Sequence, residues 1–72
     1  MPLIQVKVLE GVFSQEQKEE MVTKLTEAMV SIEGENFRPV TWVVIEDVVS
    51  GQWGIGGKPL TAADVKALTG TR

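Results

Sequence analysis

Hydrophobic and polar residues alternate from Pro2 to Leu9, with Ile4, Val6 and Val8 on one face and Leu3, Gln5, Lys7 and Leu9 on the other. A period of two predicts a half-buried strand. Glu10-Gly11 breaks it. Ser14, followed three residues later by Gln17, reads as a capping box satisfying the N–H groups that a helix start leaves unpaired, and Glu16 suits the positive end of the helix dipole. Met21, Val22, Leu25, Ala28, Met29 and Ile32 then recur at steps of three and four, while Lys18, Glu19, Glu20, Lys24 and Glu27 keep the other side wet. The stripe predicts an amphipathic helix of about 18 residues. Gly34, in a left-handed conformation, is its expected end. Residues 33 to 39 are expected to form a loop, because the residue before Pro39 is pushed out of helical space and Asn36 favours a turn.

Val40 to Val49 is rich in β-branched residues and predicts a second strand, with Trp42, Val44, Glu46 and Val48 opposing Thr41, Val43, Ile45 and Asp47. Strand, long helix and strand imply a right-handed crossover, with the strands parallel and the helix covering one sheet face. The chain is therefore of the α/β class, built on a β-α-β unit. Between Ser50 and Gly57, four glycines surround Trp53 and Ile55. A phosphate-cradling loop would need a helix directly after the glycines, and Lys58-Pro59-Leu60 does not supply one. A tight turn or hairpin pressing Trp53 and Ile55 against another surface fits better. Thr61-Ala62-Ala63-Asp64 is a second capping box, Val65 and Leu68 follow, and Gly70 is a stop signal. This predicts a short C-terminal helix, placed to pack on a neighbouring subunit.

Composition narrows the picture. Residues 1–72 form one domain, and a chain this short normally needs disulfides, a metal or oligomerisation. There is no Cys and no His, so disulfides are excluded and a metal site would have to be built from carboxylates. No cofactor is expected. Two strands leave both edges and one face uncovered, with Leu3 and Trp42 on that face, so pairing with other copies of the chain is the expected solution. Seven scattered basic residues against a net charge of −3 give no footprint for nucleic acid. No apolar run approaches a membrane span and no signal peptide is visible, so the expected setting is the cytoplasm.

Candidate chemistry lies at the N-terminus. Pro2 follows the initiator Met1 and opens the first strand. One reading makes it an edge-strand residue, where a missing N–H does no harm. In the other, Met1 is trimmed and Pro2 becomes a secondary amine, held by a strand and able to act as a base. While Met1 is attached, that nitrogen is an amide and cannot take a proton.

Pro2, Leu9-Glu10-Gly11, Ser14 to Lys18 and Gly51-Gln52-Trp53-Gly54-Ile55-Gly56-Gly57 together resemble the 4-oxalocrotonate tautomerase family over roughly residues 2 to 57. The resemblance implies β-α-β subunits pairing as dimers and assembling into hexamers. It also implies a cofactor-independent isomerase, in which the processed proline is general base in a pocket built from neighbouring subunits and Trp53 lines that pocket. Moving a proton between carbons of an enol or 2-oxo acid needs an amine that burial keeps unprotonated, and a cation or aimed donors for the enolate. The two arginines that the family uses for this would fall at Val12 and Trp42, and neither is basic. Arg38 and Lys7 are the nearest replacements in sequence. Trp42 is a second apolar wall, or an interface anchor, as is Trp53. Relatives that hydrate or dehalogenate acrylic acids carry a carboxylate near Ile55, which ranks those reactions below tautomerisation, although Glu46 or Asp47 could be an unrecognised acid. The rival reading is a catalytically lapsed oligomer of the same fold, serving as a binding or scaffold module.

Overall fold

A computed structural model describes residues 1–70. Strand β1 (Leu3–Leu9) leads into helix α1 (Gln15–Glu33), a 3-10 stretch (Glu35–Val40) and strand β2 (Trp42–Val48). Strands β3 (Trp53–Ile55) and β4 (Lys58–Leu60) form a hairpin, and helix α2 (Ala62–Thr69) follows. β1 and β2 are parallel neighbours, in register from Leu3 opposite Trp42 to Leu9 opposite Val48.

Both predicted capping boxes form. Ser14 Oγ accepts from the Gln17 N–H at 3.1 Å while the Gln17 side chain accepts from the Ser14 N–H, and Thr61 and Asp64 repeat the exchange on α2. Gly34 ends α1 at φ 101° and ψ 158°, an extended glycine-only conformation in place of the left-handed helical one. Residues 35–40 are 3-10 helix where a loop was expected. The Phe37 N–H donates to the Gly34 carbonyl and the Thr41 N–H to that of Arg38, so the missing N–H of Pro39 interrupts neither bond. These turns absorb Val40 and delay β2 to Trp42.

The helix face also departs from the expected stripe. Val30, left out of it, is only 6% exposed, whereas Ile32 is 83% exposed. Lys18, Met29 and Glu33, together with Thr26, are half-buried, so the covered side is rotated toward Val30. Two strands about 5 Å apart are narrower than a stripe spanning 100° or more of the helix, and one flank stays open.

The glycine-rich stretch supplies a two-residue hairpin loop, Gly56-Gly57, with φ of 59° and 84°. Positive φ at both positions matches the turn type that follows the twist of a hairpin, and few residues other than glycine adopt it at low cost. Lys58-Pro59-Leu60 is the return strand, with Pro59 opposite Gly54. The Gly51 N–H donates to the Leu60 carbonyl at 2.9 Å, and Ser50 Oγ accepts from the Ala62 N–H at 3.1 Å, fixing the hairpin and α2 to the end of β2.

The core is thin: Val8, Leu9 and Val30, each 6% exposed, are its only buried hydrophobic side chains among the described residues. The radius of gyration is 14.8 Å, against about 11 Å for a self-contained domain of this length. On the sheet face that α1 leaves open, Leu3 is 54%, Trp42 55% and Val44 37% exposed. Among the described residues, no helix is long and apolar enough to cross a membrane, and no group of three or more acidic side chains is placed to hold a metal ion.

Candidate active site

Pro2 stands directly before β1 and is half-buried. Its carbonyl accepts the Trp42 N–H at 3.0 Å, which extends the parallel ladder by one bond and fixes the backbone at the position of interest. Trp42 therefore lies beside Pro2, exposed on the open sheet face opposite Leu3. Arg38 belongs to the same end of the molecule, because its 3-10 stretch runs straight into β2.

Its guanidinium is occupied. Glu27 receives Nη1 and Nη2 at 2.6 and 3.0 Å, and Glu35 receives Nε and Nη2 at 2.7 and 3.1 Å. Hydrogen bonds from Arg38 hold both carboxyls below the usual range, and the bond to Glu27, followed by that to Glu35, raises the arginine. Since the folded pKa values of Glu27 and Glu35 are depressed, the clamp persists at neutral pH and is released only as pH falls through those lowered values. All three groups are solvent-exposed, so the clamp orients the chain more than it stabilises it. Arg38→Ala is expected to return both carboxyls toward the ordinary glutamate range in an NMR pH titration. Unmoved midpoints would contradict the clamp.

Lys7 is farther along β1, on the open face, bonded at 2.9 Å to Glu46, its register partner on β2. On the helix side, Lys18 holds Asp47 at 2.8 Å. The two acids considered as unrecognised catalysts are thus both ion-paired.

Trp53 is half-buried at the opposite end of β1 from Pro2. With Ile55 and Leu60 it lines an open cavity of about 340 Å³ facing Leu9, Val12 and Phe13, while Val65 and Leu68 of α2 form another wall. Seven residues of strand at about 3.3 Å each put Pro2 and Leu9 roughly 23 Å apart. One chain therefore carries a proline end and a tryptophan end that do not meet. Residue-by-residue reading singled out Trp53 but missed the cavity walls. Their signals are present as the doubled apolar pairs Val8-Leu9 and Val12-Phe13 and the i, i+3 pair Val65/Leu68.

A parallel β-α-β unit with a proline at its head, a glycine hairpin and a short terminal helix defines a small class of α/β chains, and comparison with known proteins narrows it. The model of the tautomerase enzyme family matches residues 2–63. A probable tautomerase of Ralstonia nicotianae is 40% identical over 63 residues, covering 88% of this chain and 87% of the relative. Another from Dickeya dadantii is 31% identical over 61 residues, covering 85% and 90%. Among solved structures, one from work on the 4-oxalocrotonate tautomerase isozymes of Methylibium petroleiphilum superposes with a TM-score of 0.71 at 32% identity, covering 89% of this chain and 97% of that one. DmpI of Helicobacter pylori gives 0.70 at 26% identity, covering 99% and 100%. The chain belongs to the tautomerase family.

Proposed function

We propose that the protein is a cofactor-independent tautomerase, moving a proton between carbon atoms of an enol or 2-oxo acid, with Pro2 as general base once Met1 has been removed. The observation that carries this reading is the anchoring of Pro2. Its carbonyl is held by the Trp42 N–H at 3.0 Å, so a free nitrogen at this position would be aimed and not frayed. Removal of a proton next to a carbonyl leaves an enolate, and return of that proton at the other carbon completes the isomerisation. Trp42 and Trp53 serve as apolar walls that keep the amine unprotonated. Lys7 and Arg38 remain candidates for binding the substrate, each having to exchange a carboxylate of its own chain for one on the substrate.

Pro2 and the Trp53 cavity lie at opposite ends of one chain, so a complete site needs the proline of one copy at the cavity of another. The thin core and the exposed Leu3, Trp42 and Val44 supply a reason for copies to associate. A homo-oligomer follows from this reading; the hexamer is proposed from the family resemblance, and the cytoplasm as the setting.

One observation favours a second reading, an oligomer of the same fold that binds without turning over. Lys7 and Arg38 are both engaged by carboxylates of the same chain. Ketonisation of phenylenolpyruvate or 2-hydroxymuconate, by protein whose loss of Met1 has been verified by intact mass, separates the two. Catalysis is expected, and no rate with either compound would favour the scaffold.

A further inference from the structure

We infer that the site proposed above takes an uncharged, largely apolar enol or carbonyl compound in preference to the anion of a carboxylic acid. The inference rests on that proposed site and narrows its substrate class.

The cavity beside Trp53 is walled by Leu9, Val12, Ile55, Leu60 and Val65, and among the described residues Lys7 is its one charged lining residue. The Lys7 ammonium is 2.9 Å from Glu46, so what it offers the cavity is its methylene stem. The Thr69 hydroxyl, also in the wall, already donates to the Val65 carbonyl at 2.9 Å. Elsewhere Arg38 is held by Glu27 and Glu35, Lys18 by Asp47 and Lys24 by Glu20. Lys58, Lys66 and the N-terminal ammonium are the other cations among the described residues, and none of them lines the cavity. Among the described residues of one chain, a carboxylate entering this cavity would give up its hydration and gain a charged partner only by displacing Glu46 from Lys7. It would also approach a chain of net charge −3.

A neutral carbonyl meets neither obstacle. It needs only a donor at its oxygen, and Trp53, a lining residue, has a neutral indole N–H that could serve as that donor. The volume, near the lower end for small-molecule sites, suits a compound with a single aromatic ring.

The matched pair phenylpyruvate and its methyl ester tests this. Both carry an acidic methylene between ring and ketone, and only the first is an anion. Pro2 of the Met1-free oligomer takes a proton from that carbon, the C–H electron pair passes into the enolate, and return of a deuteron from D2O leaves exchanged ketone. Loss of the methylene signal is followed by proton NMR, each rate being divided by the uncatalysed rate of the same compound. The ester is expected to be favoured roughly 100-fold in kcat/KM. Val12→Arg, which sets a guanidinium in the wall, is expected to narrow that gap. Equal efficiency, or a preference for the acid, would overturn the inference.

If neither compound exchanges, the catalytic reading fails and binding decides the selectivity. Tryptophan fluorescence is then titrated with phenylacetate and methyl phenylacetate. Tighter binding of the ester by roughly 10-fold or more supports the inference. Equal affinities, tighter binding of the acid, or binding of neither overturns it.

Discussion

Pro2→Ala lowers kcat/KM for enol ketonisation by about 100-fold, the low end of what a positioned general base contributes. The loss is incomplete because removal of Met1 from the variant still exposes an amine. That amine is primary, and it is held without the ring that fixes φ and restricts the first residue. The fold is expected to survive, since the substitution keeps the backbone carbonyl that accepts the Trp42 N–H and since neither position 2 nor its neighbours belong to Val8, Leu9 and Val30. Circular dichroism and sedimentation identical to wild type, beside the rate loss, would assign the effect to chemistry. Equal rates in the two proteins would remove Pro2 from the reaction.

The second large effect is on assembly. Leu3→Glu combined with Val44→Glu is expected to abolish both the oligomer and the cooperative thermal transition. Leu3 and Val44 sit on the open sheet face at 54% and 37% exposure in the isolated chain. Covering each apolar side chain is worth about 1.5–3 kcal/mol, and a small domain's whole stability starts from about 5 kcal/mol. Two buried carboxylates in their place remove that gain and add desolvation cost. Wild type should sediment as a multiple of 7.9 kDa. A folded wild-type species at that single-chain mass would contradict the account, as would a double variant that still assembles.

Much of the fold was legible because it rests on local signals. The alternation from Pro2 to Leu9, the Ser14/Gln17 and Thr61/Asp64 boxes and the Gly56-Gly57 turn each specify geometry within a few residues. Ile32 misled because helical spacing says which residues share a face and not how wide the sheet beneath that face is. Residues 35–40 misled because Pro39 forbids an α-helix and still fits a short 3-10 run. The candidate cations were the least legible. Lys7 meets Glu46 across a register set by the crossover, and Arg38 meets Glu27 through the bend after α1. Neither partner is marked by spacing along the chain. The same holds for the cavity, whose walls come from β1, the hairpin and α2.

The central claim is that the nitrogen of Pro2 takes the proton, and it is tested most directly by comparing the chain with and without Met1. Intact mass identifies the two forms, and ketonisation is measured on each at equal concentration. Turnover confined to the Met1-free form is the predicted result, because the lone pair of an amide nitrogen is delocalised into the carbonyl and does not take a proton near neutral pH. Equal turnover by the form that retains Met1 would contradict the claim.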